Sequence, residues 1–100
     1  MASELRLKLF IAGDSPRARE AAENLARAVR SLVNGAAHVE TVDVLESPDV
    51  ADEYRILTTP TVVREAPAPR RRVTGDLRDT AQVLAALHLF PATPTPTPTP

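Results

Sequence analysis

The sequence predicts an α/β domain whose elements follow the order βαβαββα and build one four-stranded mixed sheet with helices on both faces. Three observations carry this. An alternating run near the start leads into a stretch of three-and-four periodicity and then into a second β-rich run, which together make a βαβ unit. The dipeptide Ser-Pro occurs at two places where a helix should open, Ser15-Pro16 and Ser47-Pro48. Two short β-rich runs late in the chain are joined by a proline-bearing link, the pattern of an antiparallel hairpin.

Each element has its own reason. Leu5-Arg6-Leu7-Lys8-Leu9 alternates apolar and polar before Phe10-Ile11-Ala12, so the first strand should end buried on both faces. Gly13-Asp14 stops it, Ser15 serves as N-cap, and Pro16 fits the first helical position because its missing N–H costs nothing there. The first helix places Ala18, Ala21, Ala22, Leu25, Val29, Leu32 and Val33 on one side and should end at Asn34-Gly35. Val39, Thr41, Val42 and Val44 form the second strand, parallel to the first through a right-handed crossover. Ser47-Pro48 opens a short helix with Val50, Ala51, Tyr54 and Leu57 on its inner side. The corner Thr58-Thr59-Pro60-Thr61 precedes a third strand to Arg64, and Pro67-Ala68-Pro69 leads to a fourth, Arg70 to Thr74. Gly75 ends the hairpin, and Asp76 is expected to cap a last helix running to Leu89, with Leu77, Val83, Leu84 and Leu87 facing inward. A parallel half joined to an antiparallel hairpin in this order is the thioredoxin-like arrangement.

Composition narrows the function. Residues 1–90 should form the folded domain and 91–100, largely a Thr-Pro alternation, an extended and disordered tail. The acidic and basic residues nearly balance at a formal net charge of −1, which argues against nucleic acid or a membrane surface as partner. With Phe10, Tyr54 and Phe90 as the only aromatics, a stacking platform for bases is missing. There is no cysteine, so disulfides, thiolate metal sites and thiol redox chemistry are excluded. No apolar run is long enough for a signal sequence or a membrane span, and a soluble cytoplasmic protein is expected. His38 and His88 lack neighbours at ligand spacing, and nothing places a nucleophile beside Asp43, Asp76 or Asp79. No metal, cofactor or catalytic residue is assigned.

Three segments carry a family resemblance: LKLFIAGDSPRA, VDVLESPDVADEYRILTTPTVV and RRRVTGDL, in order and at matching spacing from about Leu5 to Leu89. Together they resemble the KaiB family of circadian-clock proteins. The resemblance implies a non-enzymatic regulator that binds a KaiC-like ring ATPase of the RecA type, modulates its phosphorylation or signalling output, and in the cyanobacterial oscillator also meets KaiA. It implies a cis peptide bond before Pro60, since the dipeptide by itself favours trans. By position it marks Arg55, with Asp49 and Glu53, as contacts to the ATPase, and Arg71 and Arg72 as part of a second partner surface. The alternatives are a solvated cation at a helix C-terminus for Arg55, simple N-terminal dipole partners for Asp49, Asp52 and Glu53, and an edge strand blunted by charge for the arginines. Because Arg70 and Arg72 share one face of a strand and Arg71 takes the other, the three cannot act as one patch.

The family is also metamorphic, with a ground-state tetramer that packs the C-terminal half differently from the thioredoxin-like form. The switch region corresponds to Gly75, Asp76, Ala86 and His88. Where the clock proteins carry Gly-Leu-Asp, this chain has Ala86-Leu87-His88, and Ala raises helix propensity over Gly by up to about 1 kcal/mol. The thioredoxin-like packing is therefore expected as the resting form, a monomer being favoured over a dimer or tetramer. Glu20 stands where the clock proteins carry an arginine, so the KaiA-facing surface is not fully reproduced. Two other readings stay open: a sensory or adaptor domain of a two-component system, as in the clock-associated histidine kinase, and a redox-inactive, chaperone-like peptide binder using the groove beside Pro60.

Overall fold

A computed structural model describes residues 5–32 and 37–89. The elements are β1 (Arg6–Ile11), α1 (Pro16–Arg30), β2 (His38–Asp43), α2 (Pro48–Glu53), β3 (Thr61–Ala66), β4 (Arg71–Thr74) and α3 (Thr80–Ala86). They form one four-stranded sheet in the order β2-β1-β3-β4. β1 runs parallel to β2 and antiparallel to β3, and β3 and β4 make the antiparallel hairpin. The order and mixed sheet are those expected from the sequence.

Strand alternation divides the core in two. Leu7, Leu9 and Val62 point to one face, where they pack with Ala21 and Leu25 of α1 and with Leu77, Val83 and Leu87. Phe10, Val42 and Val63 point to the other and pack with Tyr54, Val50 and Ile56 around α2. α1 and α3 thus share one face and α2 covers the other. The first core is aliphatic throughout; in the second the rings of Phe10 and Tyr54 meet at 5.2 Å between centroids.

Where a signal was local, the element begins where expected. The Ser15 hydroxyl accepts from the Ala18 N–H at 3.1 Å and caps α1 with Pro16 at its start. Other boundaries differ. α1 ends at Arg30 with Ser31 as C-cap; Val33 and the expected cap Asn34-Gly35 lie outside the described residues, as do Phe90 and the Thr-Pro tail. Ser47 occupies the N-cap position of α2, but its side chain makes no capping bond. Leu57, expected on the inner side of that helix, is 93% exposed, because the helix has already ended at Glu53.

The largest corrections concern α3. Its cap is Asp79, whose Oδ1 accepts from the Gln82 N–H at 3.1 Å, and not Asp76, whose Oδ1 accepts from the Arg78 N–H in the preceding turn. Leu77 explains the shift: it is buried in the core with a left-handed backbone, φ +61°, which a helix cannot contain. The helix also stops short of Leu89. His88 takes φ +57°, the Leu89 N–H donates to the Leu84 carbonyl at 2.8 Å, and the His88 N–H donates to the Ala85 carbonyl at 3.1 Å. This is a Schellman ending with histidine where glycine is usual. Ala86 favours one more helical residue, but the chain turns back so that Leu89 packs beside Leu84.

Three buried polar side chains hold the C-terminal half. Asn24 of α1 donates to the Asp76 carbonyl at 2.8 Å. Thr61 donates to the Thr58 carbonyl at 2.7 Å and lies 3.2 Å from the Thr74 hydroxyl, next to Gly75, whose N–H closes on the Pro60 carbonyl at φ +123°. Arg64, only 6% exposed, donates through Nη1 to the Leu87 carbonyl and through Nη2 to the Pro69 carbonyl, each at 2.9 Å. Its Nε has no partner among the described residues.

Two stability measurements check this account. Arg64→Ala should lose about 2–4 kcal/mol in urea unfolding, since two carbonyls bonded to a charged donor become unpaired inside the protein; a loss under about 1 kcal/mol would show that water replaces the guanidinium. His88→Gly should gain about 0.5–1 kcal/mol by relieving the left-handed residue, and a variant that unfolds at lower urea would contradict the Schellman assignment.

Candidate docking surface

The second face of the sheet leads to a surface centred on the end of α2. Tyr54 is its C-cap, 5% exposed, and its hydroxyl donates to Glu65 Oε1. Strand alternation puts Lys8 on the same face, with Nζ 3.2 Å from the Tyr54 hydroxyl, 3.4 Å from Glu65 and 5.0 Å from the ring centroid. Arg70 lies 4.6 Å from that ring centroid and pairs with Glu65 Oε2 at 2.9 Å. Burial pushes the Glu65 carboxyl up, but the Tyr54 hydroxyl, Lys8 and Arg70 together outweigh it and hold the group below its ordinary value. For Lys8, burial acts downward, and the bonds to Tyr54 and Glu65 leave the ammonium raised. Burial and the bond to Glu65 raise the Tyr54 phenol.

Beyond Tyr54 the chain turns sharply. Arg55 has φ +54°, with the Arg55 N–H donating to the Asp52 carbonyl at 3.1 Å and the Ile56 N–H to the Ala51 carbonyl at 2.9 Å, a second Schellman ending without glycine. The exposed carbonyls of that ending are taken by Arg72 of β4, which donates to Tyr54 O at 2.7 Å and Arg55 O at 3.2 Å. A cation there also complements the negative end of the helix dipole. Arg72 therefore bonds within the molecule while remaining exposed at its surface.

The residues marked from the sequence separate accordingly. Arg55, Asp49 and Glu53 are exposed on α2 and its ending, with Arg72 bound to the backbone beneath. Arg71 is exposed on the opposite face of β4, across from Arg64 in the hairpin register. Gly75 and Asp76 sit at the hairpin exit under Asn24, whereas Ala86 and His88 close α3, where the His88 carbonyl lies 3.5 Å from Arg64. The Thr59–Pro60 bond is cis; so are Ala66–Pro67 and Ala68–Pro69, which the sequence reading did not anticipate. Beside Pro60 a cleft of about 170 Å³ is lined by Ile11, Ser15 and Arg17, with no thiol to act there.

Between α2 and the corner at Thr58 lies an open groove of about 320 Å³ lined by Val44, Pro48, Ala51, Asp52, Ile56 and Leu57. Leu57 and Leu45 are 93% and 70% exposed. Sequence periodicity missed this surface because it extended the helix through Leu57. Among the described residues no helix is long and apolar enough to cross a membrane.

Comparison with known proteins places this geometry. The family model for the KaiB domain matches residues 8–89. The chain is 38% identical over 85 residues to the circadian clock protein KaiB3 of Synechocystis sp., covering 85% of this chain and 83% of that one. It is 41% identical over 84 residues to the circadian clock oscillator protein KaiB of Prochlorococcus marinus strain NATL2A, covering 84% and 78%. Among solved structures, the N-terminal domain of Synechococcus elongatus SasA superposes with a TM-score of 0.66 at 26% identity, covering 88% and 87%. Mitochondrial thioredoxin 3 of Saccharomyces cerevisiae gives 0.67 at 17% identity, covering 85% and 77%, which establishes the thioredoxin-like fold.

The Glu65 cluster makes stability depend on acid. Its folded-state pKa lies below the unfolded one, so its contribution is present above about pH 4.3 and fades as pH falls through the folded value. Glu65→Gln should cost about 1–2 kcal/mol at neutral pH, and the deficit should shrink once both chains are compared near pH 3. Urea unfolding at the two pH values reads this directly; an unchanged deficit would mean that packing, not charge, is lost.

Proposed function

The chain belongs to the KaiB family, and we propose that it is a non-enzymatic, cytoplasmic clock-type regulator that docks on a KaiC-like RecA-type ring ATPase and modulates its phosphorylation or signalling output. One observation carries the docking site. Past the end of α2, Arg55 and Leu57, two residues apart, are both exposed, while Arg72 holds the Tyr54 and Arg55 carbonyls. A rigid backbone presenting one cation and one apolar side chain loses little freedom on binding, which is what a small docking surface needs.

Asp49 and Glu53 belong to the same face. Arg71, on the opposite side of β4, suits a second partner such as a KaiA-like protein or a histidine kinase. Glu20 is drawn to Arg78 at 3.5 Å, so that part of the surface presents a neutralised acid instead of a free cation. A second reading, a sensory domain for a histidine kinase, draws on the likeness to the SasA domain; the higher identity to KaiB proteins favours the first.

Size-exclusion chromatography with light scattering, first alone and then with the KaiC-like ATPase of the same genome and ATP, should show a monomer that moves into a ring-sized complex. Arg55→Ala should weaken that complex about tenfold without lowering the unfolding midpoint. Absence of a complex in every nucleotide state would sink the proposal; a complex indifferent to Arg55→Ala would move the docking site elsewhere.

A further inference from the structure

We infer that the partner surface meeting the α2 groove is cationic, with an apolar side chain at its centre flanked by lysine or arginine; this rests on the docking role proposed above and names the chemistry of its partner. The first support is the charge pattern of α2, whose acidic last turn works against the helix although Asp49, in the first turn, suits the dipole. Asp49, Asp52 and Glu53 stand three and four residues apart on the outward face of α2, all exposed, with none of their carboxylates paired to a base among the described residues. Like charges at these spacings repel. Asp52 and Glu53 also occupy the last turn, which holds no base of its own, and Arg72, the cation at this helix ending, bonds to the Tyr54 and Arg55 carbonyls and not to these carboxylates. Glu46, in the turn before the helix, is exposed and adds a further carboxylate.

The second support is the groove. Asp52 is part of its wall and the exposed Leu57 lies on it, so apolar surface and a carboxylate without a basic partner among the described residues occupy one place. An exposed leucine by itself means little, since much of any protein surface is apolar. An apolar centre with a charged rim is the anatomy of an interface. The sign of the rim then fixes the sign of the partner, because a like-charged surface would be repelled. Arg55, at the far end of α2, gives the pattern a direction: opposite it the partner carries an acidic group.

The test measures affinity for the same-genome ring ATPase by biolayer interferometry at about 50 mM and about 500 mM salt, with the intact chain and with the double variant Asp52→Lys/Glu53→Lys. The affinity of the wild type should fall severalfold or more between the two salts. The double variant should bind at least about tenfold more weakly while unfolding at no lower temperature, because lysines suit the last turn of a helix. Glu23→Lys on α1 serves as the control and should bind like wild type. If the wild type binds equally at both salts and the double variant binds as well or better, the cationic partner is wrong while the docking role survives. If the double variant fails to fold, the neutral pair Asp52→Asn/Glu53→Gln replaces it: weaker binding with a smaller loss between the two salts supports a cationic partner, and unchanged or tighter binding overturns it. If the wild type binds in no nucleotide state, the docking role fails and takes this inference with it.

Discussion

A guanidinium without a carboxylate holds the C-terminal half of this domain in place. Arg64 is buried between β3 and the end of α3, and its charge is met by backbone carbonyls from the helix ending and from the link between the hairpin strands. Burying an ion costs several kcal/mol unless its donors are satisfied, and here the negative end of a helix supplies part of the compensation. Asn24 and Thr61, the other buried polar side chains among the described residues, likewise grip turns around the hairpin, at Asp76, Thr58 and Thr74. The aliphatic core presses the layers together in many nearly equivalent ways, whereas these bonds accept one geometry. Apolar burial supplies the drive to fold, and the polar contacts fix where the C-terminal half comes to rest.

That division explains what could be read from the chain and what could not. The start of α1 was legible because Ser15-Pro16 acts on its own neighbours, and the hairpin because strand runs and link are adjacent. Arg64 and Asn24 were invisible: a polar residue on a strand or helix reads as facing water, and only the distant partners Leu87, Pro69 and Asp76 turn it inward. The cap of α3 was misplaced for the same reason. The sequence pointed to Asp76, and the burial of Leu77 under α1, a tertiary fact, moves the cap to Asp79. At the candidate site, family position marked Arg55, but the exposed groove and the bonds of Arg72 within the molecule depended on where α2 stops.

The arginines of the hairpin illustrate how one residue type serves opposite ends. Arg70 lies against Tyr54 and pairs with Glu65, Arg72 caps the helix ending, and Arg71, exposed like the other two, lies on the far side of β4. Two of the three therefore join the hairpin to the end of α2, so that helix and the C-terminal strands are one mechanical unit. A planar fork with several donors can take two carbonyls at once; lysine, a point charge on a flexible stem, could not hold the same pair.

The sheet order β2-β1-β3-β4 has a consequence during synthesis. β1 is central, and its parallel neighbour β2 is made soon after it, but the strand that covers its other side, β3, begins only at Thr61. As the chain leaves the ribosome, β1, α1 and β2 can associate, with Leu7 and Leu9 against α1, while the second edge of β1 still has open backbone groups and Phe10, on the other face, still lacks Tyr54 and Val63. That edge is the stickiest feature the nascent chain offers, and nothing shields it until nearly two thirds of the protein has been made. Lys8, set between those apolar residues, gives the waiting strand a charge that a neighbouring nascent chain would have to bury in order to pair with it.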